Sequence, residues 1–125
     1  MTKVIETDKA PKAVGPYSQA VDAGDLIFIS GQIGLDPETQ QFVADSVEEQ
    51  TKQVMRNIGA ILEEAGKEYT DIVKMGIFLD SMDDFQTVNE IYAGFLSEPY
   101  PARAAIEAAK LPKGAKVEME AIVKK

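Results

Sequence analysis

Apolar residues in the first part of the chain fall in short runs separated by glycine, proline and polar positions. Runs of this length, rich in β-branched residues, are typical of strands. Residues 3–6 predict a short edge strand, and a tight turn at Gly24-Asp25 joins the next two into a hairpin, residues 18–22 and 26–30. The proline-containing and polar segments 10–16 and 34–45 predict loops.

The next segment, residues 46–66, has apolar residues at the spacing of a helix. Ser46 is the predicted N-cap of a first helix, with Glu49 three residues later completing a capping box. Apolar residues then recur at helical spacing and share one face, namely Val47, Val54, Ile58, Ile61, Leu62 and Ala65. Gly66 occupies the position where a C-terminal glycine cap is expected.

The second half returns to a strand and then a helix. Residues 72–79 predict a central strand on which Val73, Met75, Ile77 and Leu79 share one face. Ser81 is the predicted cap of a second helix, with Asp83 and Asp84 in its first turn. Its apolar stripe is Phe85, Val88, Tyr92 and Phe95, and it ends before Pro99 and Pro101.

Two short strands, over residues 103–109 and 116–123, complete the chain. The order β-β-β-α-β-α-β-β predicts an α+β fold with two helices packed on one face of the sheet. Alternation along these strands places Arg103 on one face of its strand and Glu118 with Glu120 on one face of theirs. We expect the helices to cover the apolar faces. The polar face, carrying both Arg103 and Glu118, is then expected to meet solvent or another subunit.

Length and composition narrow the classes of function. The 125 residues favour a single domain covering residues 1–125. A net charge of −8 argues against binding to nucleic acid or anionic membranes. The chain has no cysteine and no histidine, which excludes disulfides, Ser-His and Cys-His nucleophiles, and zinc sites with thiolate or imidazole ligands. Two acids at a helix start, such as Asp83 and Asp84, are far more often caps than metal ligands, so no metal is expected.

Several motifs, in order, resemble the RidA/YjgF/YER057c family over essentially the whole chain. They are Ala13-Val14-Gly15-Pro16-Tyr17-Ser18-Gln19, Ile29-Ser30-Gly31-Gln32-Ile33, Phe85-Gln86-Thr87-Val88-Asn89, Tyr100-Pro101-Ala102-Arg103 and Val117-Glu118-Met119-Glu120-Ala121. Each motif alone is weak, but their shared order and spacing make the resemblance specific.

The resemblance implies a chorismate-mutase-like α+β subunit with a mixed sheet, assembled as a cytoplasmic homotrimer whose ligand sites lie between subunits. It further implies hydrolytic deamination of 2-aminoacrylate and 2-iminobutanoate to 2-keto acids and ammonia, without a cofactor. Many family members have Ser-Cys after the motif arginine, where this chain has Ala104 and Ala105. We expect the backbone amide of Ala105 to keep the role of that position, whereas thiol-based activation is impossible.

The catalytic candidates are Arg103 and Glu118. A guanidinium binds a carboxylate bidentately, which suits Arg103 to the acid group of an imino acid. The alternative for Arg103 is a surface or interface salt bridge with a carboxylate such as Glu118. Glu118 would orient water or transfer protons, an assistance typically worth ~10²–10⁴-fold, and its alternative is a solvated strand carboxylate. Glu120 shares its face and is the weaker candidate.

The substrate-binding candidates are Tyr17, Ser30, Gly31, Asn89 and Ala105. Tyr17 would close the pocket, Ser30 would hydrogen-bond the ligand and Gly31 would allow close approach of the backbone. A packed aromatic, turn chemistry and a solvent-facing amide are the alternatives for Tyr17, Ser30 and Asn89. Two other functions compete with deamination: a binding module for small carboxylates or keto acids without turnover, and a ribonuclease or translation inhibitor, against which the charge and the lack of histidine argue.

Overall fold

Six strands and two helices make up the fold in the computed structural model, which describes residues 2–125. The elements are β1 (Lys3–Ile5), β2 (Ala20–Asp22), β3 (Leu26–Gln32), α1 (Val47–Glu64), β4 (Ile72–Leu79), α2 (Phe85–Phe95), β5 (Ala102–Glu107) and β6 (Val117–Lys124). The strands lie in the order β1-β2-β3-β6-β4-β5. Only β4 and β5 run parallel, so the sheet is mixed. The predicted element order and α+β class are confirmed.

Helix α1 begins and ends as predicted. The Ser46 hydroxyl accepts a hydrogen bond from the Glu49 N–H at 3.2 Å. The Glu49 carboxylate contacts Lys52 Nζ at 3.2 Å, so the reciprocal half of the predicted capping box is wrong. At the other end Gly66 has a φ of 72°, and the N–H groups of Gly66 and Lys67 donate to carbonyls of the last turn, as in a Schellman motif. Residues 2–125 contain no helix that is long and apolar enough to cross a membrane.

Both helices pack on one face of the sheet, as predicted. The core between them is apolar and almost fully buried, and it includes Val54, Met55, Ile58, Met75, Ile77, Leu79, Val88, Val117, Met119 and Val123. The opposite face, which we call the open face, has exposed apolar side chains at Val4, Phe28 and Ile106, with exposures of 62%, 41% and 52%. An uncovered apolar sheet face of this kind marks an interaction surface.

The register of β4 differs from the prediction at one end. A bulge between Ile72 and Lys74 shifts its pairing with β6. Val73, predicted to share a face with Met75, is consequently 39% exposed, whereas Ile72 is buried at 4%. Strict alternation fails at Val73 because a bulge inserts one unpaired residue into the ladder.

Arg103 and Glu118 lie on opposite faces of the sheet. Arg103 pairs with Met75 across the parallel ladder, and Met75 pairs with Ala121, so all three point toward the helices. Glu118 pairs with Phe78, which puts its side chain on the open face. The prediction that Arg103 and Glu118 share one face is therefore wrong. Alternation sorts the residues within one strand but does not specify which faces of two strands coincide.

Candidate active site

Arg103 extends from β5 into a cavity beside α2. This arginine cavity is lined by Asn89, Tyr92, Ala93, Tyr100, Pro101 and Arg103. The Arg103 Nη1 donates a hydrogen bond to Asn89 Oδ1 at 2.5 Å. Its Cζ lies 5.4 Å from the ring centroid of Phe85 and 5.3 Å from that of Tyr92, within cation–π range. Phe85, Asn89 and Tyr92 are spaced i, i+4, i+7 on α2, so one helical face holds the guanidinium.

No carboxylate in the described part of the chain neutralises the guanidinium. Among residues 2–125 the ion pairs join Lys9 to Glu63, Lys52 to Glu49 and Lys125 to Asp22. The alternative of a salt bridge with Glu118 within one protomer is wrong, because the two lie on opposite faces. Arg103 therefore keeps N–H donors free for an anionic ligand.

Tyr92 combines a buried ring with an unsatisfied hydroxyl. Its side chain is 3% exposed, and the hydroxyl finds no hydrogen-bond partner in the described part of the chain. Burial raises the pKa of the Tyr92 phenol, and the charge of Arg103 offsets this rise only in part. The ring face, rather than the hydroxyl, accounts for the contact with Arg103.

Ala105 lies two residues further along β5, half-buried against the core. The N–H of Ala108, just beyond the strand, donates to the Leu79 carbonyl at 2.8 Å. Because backbone groups alternate along a strand, the Ala105 N–H then points away from β4, over the free edge of the sheet. This direction leaves the amide available to a ligand beside that edge.

Four other predicted residues, Tyr17, Ser30, Gly31 and Glu118, line a second cavity, which we call the glutamate cavity. Tyr17 is 52% exposed, and its hydroxyl accepts a hydrogen bond from the Val14 N–H at 3.4 Å. The Ser30 hydroxyl donates to the Ser18 carbonyl at 2.6 Å, which leaves its lone pairs as acceptors.

Gly31 leaves space for the carboxylate of Glu118. The ladder between β3 and β6 is irregular between Ile29 and Gln32, so Gly31 lies in a bulge. A Cβ built on Gly31 would lie 2.9 Å from Glu118 Cδ, so a side chain at this position would force the Glu118 carboxylate to move. The absence of a side chain at Gly31 therefore allows the carboxylate to lie directly against β3.

Glu118 has the perturbed proton affinity of a candidate acid or base. Burial raises the pKa of its carboxyl above the ordinary value, and the neighbouring Glu120 charge adds to the rise. A carboxyl group whose pKa is raised in this way retains a proton nearer to neutral pH, which general acid catalysis requires.

The loops around the glutamate cavity contain backbone strain that the sequence patterns did not indicate. Gln40 and Lys113 both line this cavity, and both have positive φ values, 60° and 56°. Non-glycine residues in this region are uncommon and cluster at functional sites. They are the only non-glycine residues of this conformation among residues 2–125.

Buried amides hold these loops in place. Gln19 binds the N-terminal loop, since its Nε2 donates to the Pro11 carbonyl at 2.7 Å. Asn57, on α1, donates from Nδ2 to the carbonyls of Ile33 and Leu35 at 3.2 and 3.1 Å. The glutamate cavity thus depends on contacts between residues far apart in the sequence.

The structure brings the predicted site residues together in two groups rather than one. Asn89 joins Arg103, while Tyr17, Ser30 and Gly31 join Glu118. Sequence reasoning assigned Phe85 and Tyr92 only to the core. Their spacing with Asn89, a polar residue between them on α2, was the available signal. Within residues 2–125 no cluster of three or more acidic side chains is arranged to hold a metal ion, and Asp83 and Asp84 lie in the turn before α2.

Comparisons with known proteins show which family and fold the chain resembles. The family model described as Endoribonuclease L-PSP matches residues 7–125. The chain is 50% identical to human 2-iminobutanoate/2-iminopropanoate deaminase over 120 residues, covering 96% of this chain and 88% of that protein. It superposes on RidA from Psychrobacter sp. PAMC 21119 with a TM-score of 0.95, at 50% identity and with 98% and 99% of the two chains covered. For TdcF of E. coli with bound serine, the TM-score is 0.93 at 44% identity, with 98% of each chain covered.

Proposed function

The chain belongs to the Endoribonuclease L-PSP family, also known as the RidA/YjgF family, and from this membership we propose that it hydrolyses 2-imino and 2-enamino acids to 2-keto acids and ammonia. Its substrates on this proposal are 2-aminoacrylate and 2-iminobutanoate. The enzymatic class is supported by relatives at about 50% identity that are named deaminases. No cofactor takes part in the proposed reaction.

One observation carries the proposed site: Arg103 and Glu118 lie on opposite faces of the sheet. Two side chains separated in this way cannot both contact one four-carbon acid inside a single protomer. The open face carries exposed apolar residues, including Phe28 and Ile106, which favours its burial against another copy. We therefore propose a homotrimer in which the arginine cavity of one protomer adjoins the glutamate cavity of the next.

Arg103 would bind the substrate carboxylate. Its guanidinium has no anionic partner within the described chain and is oriented by Asn89, Phe85 and Tyr92. An oriented guanidinium binds a carboxylate through two parallel hydrogen bonds. The serine bound by TdcF of E. coli has the same carboxylate next to a carbon–nitrogen bond. The outward N–H of Ala105 is a further donor for this group.

Glu118 would carry the protons of the reaction. The protonated carboxyl group of Glu118 first gives its proton to the imine nitrogen, and the resulting carboxylate accepts a proton from the water whose oxygen adds to C2. Glu118 then gives this proton to the amino nitrogen, the C–N bond breaks and ammonia leaves, and the hydroxyl proton returns to Glu118 as the keto group forms. One water is consumed and no net proton is gained or lost by the enzyme. Such transfers suit a carboxyl with a raised pKa.

The test mixes two inactive variants. Arg103→Ala and Glu118→Gln are first assayed separately, with a threonine dehydratase supplying the imine and 2-ketobutanoate formation as the readout. We expect each to lose at least ~10²-fold in kcat/KM. Co-expressed with different affinity tags, the two variants form mixed oligomers that are isolated through both tags.

In a mixed trimer of either composition one of the three shared sites, about a third, receives a native Arg103 and a native Glu118 from different protomers. We expect a matching fraction of the wild-type activity to return. A monomeric chain, or mixed oligomers as inactive as their parents, would refute the shared site. Wild-type protein that does not accelerate imine hydrolysis over buffer would refute the deaminase function, and carboxylate binding without turnover would then favour a binding module. The cytoplasmic location and the single domain over residues 1–125 stay predictions.

A further inference from the structure

Glu118 and Glu120 present two carboxylates on the same face of β6, two residues apart, and both line the glutamate cavity. The strand is interior to the sheet, between β3 and β4. Like charges placed this close disfavour each other's ionised form. Because placing Glu118 next to Glu120 is electrostatically unfavourable, we looked for the structural features that allow it and for a use of the repulsion.

Each carboxylate lies over a glycine of a neighbouring strand. Gly31 of β3 faces Glu118, as described above, and Gly76 of β4 is the register partner of Glu120. A Cβ built on Gly76 would lie 3.0 Å from Glu120 Cγ and 3.1 Å from its Oε2. Glycine within a strand weakens the strand and often marks a close approach. Here the two glycines leave room for the two carboxylates.

No cation of the described chain neutralises the pair. Lys12 and Lys113 reach the glutamate cavity from its loops, and Lys74 of β4 lines an adjoining cavity together with Glu120. The ion pairs within residues 2–125 involve none of these lysines and neither glutamate. The phenol of Tyr17 is the remaining titratable group that lines the cavity.

We propose that Glu120 acts through Glu118 as a positioning residue. Repulsion between the two carboxylates keeps a proton on Glu118. The space left by Gly31 and Gly76 allows the two carboxylates to lie side by side on this face of the sheet. This inference rests on the proposed function, in which that proton passes to the leaving nitrogen. Burial of Glu118 acts in the same direction as the charge of Glu120. Glu120 itself needs no contact with the substrate.

The test follows the protonation of Glu118 directly. The carboxyl carbons of the glutamates are labelled with ¹³C, and Glu118 is assigned from the resonance that Glu118→Gln removes. Its titration midpoint is measured by NMR in the full-length wild type, in Glu120→Gln and in Glu120→Asp. We expect the midpoint to move to lower pH in Glu120→Gln, because the repelling charge is gone, and to stay near wild type in Glu120→Asp, which keeps the charge.

Glu63→Gln is the matched control. Its side chain is 74% exposed on α1, on the helix-covered side of the sheet, and the substitution removes the same unit of charge. A Glu118 midpoint that does not move in Glu120→Gln, or that moves equally in Glu63→Gln, would overturn the inference. In the pH profile of kcat, the limb that reports Glu118 should move in the same direction as the NMR midpoint.

Failure of this inference is distinguishable from failure of the proposed function, because the titration needs no substrate. A lowered midpoint in a protein without deaminase activity would leave the carboxylate coupling in place and remove the proposed reaction. An active enzyme with an unmoved midpoint would do the opposite.

Discussion

The two cavities of this protein are built in different ways. The arginine cavity comes from one short stretch of chain, since α2, the loop that follows it and the start of β5 supply all of its lining residues. The glutamate cavity collects residues from the N-terminal loop, the bulge of β3, the loop before α1 and the turn before β6, and buried amides such as Asn57 hold these segments. A helix thus orients Arg103, the proposed carboxylate-binding group, while distant loops surround Glu118, the proposed proton-transfer group.

This difference suits the two cavities to different tasks, the binding of the substrate carboxylate and the transfer of protons. In the proposed reaction Arg103 binds the same carboxylate before and during the chemical step, so a rigid helix face is sufficient to hold it. In the same proposal Glu118 changes its protonation during the reaction, and its surroundings set its proton affinity. Changes in the arginine cavity should therefore act mainly on KM, and changes in the glutamate cavity mainly on kcat.

The largest expected effect comes from Glu118→Gln, which breaks the chemistry and spares the binding. Glutamine keeps the shape of the side chain but cannot exchange a proton, so kcat should fall ~10²–10⁴-fold with little change in KM. Steady-state kinetics on enzymatically generated 2-iminobutanoate measure both parameters. Arg103→Ala is the contrasting variant and should raise KM. An equal loss of kcat and of affinity in both variants would erase the distinction between the cavities.

Glu118→Gln should also change how the free energy of unfolding depends on pH, in a direction that follows from the raised pKa of Glu118. The folded chain binds a proton at Glu118 more tightly than the unfolded chain, whose pKa is near 4.5. The free energy of unfolding should therefore decrease as pH rises from below 4.5 through the raised pKa. Urea unfolding of Glu118→Gln should lack this decrease, which makes the variant the more stable of the two at neutral pH. A wild-type curve parallel to that of the variant would contradict the raised pKa.

Asn57→Ala should destabilise the fold, whereas the corresponding change beside the arginine cavity should not. Asn57 is 1% exposed and holds the carbonyls of Ile33 and Leu35, so its loss leaves buried acceptors unsatisfied and should lower the free energy of unfolding by about 2 kcal/mol. Asn89→Ala is the matched control on α2. It should unfold like the wild type within about 0.5 kcal/mol but raise KM, because Arg103 loses its partner. A lower free energy of unfolding for Asn89→Ala than for Asn57→Ala would contradict this prediction.

The smallest effect is expected from Tyr92→Phe, which keeps the ring beside Arg103 and removes the unsatisfied hydroxyl. Deleting a buried polar group without a partner should raise the free energy of unfolding by about 1 kcal/mol and leave KM unchanged. Tyr69→Phe is the matched control, since the Tyr69 hydroxyl donates to the Met55 carbonyl at 2.7 Å and its loss should destabilise by about 1 kcal/mol. Thermal or urea unfolding measures both. A destabilised Tyr92→Phe would reveal a partner for its hydroxyl.

The sequence by itself determined the elements and their order. Ser46 and Gly66 mark the ends of α1, and the apolar runs locate the strands, because capping, helical period and strand period are local properties. The motifs around Arg103 and Glu118 likewise identified the candidate residues, since a chemical group is visible in the sequence.

Only the tertiary structure decided which of these groups meet. The parallel register of β4 and β5 turned Arg103 toward the helices, and the antiparallel register of β4 and β6 turned Glu118 toward the open face. The bulges at Val73 and Gly31 and the strained loop residues were equally hidden from the pattern. Pairing between strands depends on contacts between distant segments, and the periodicity of one segment carries no information about the phase of another.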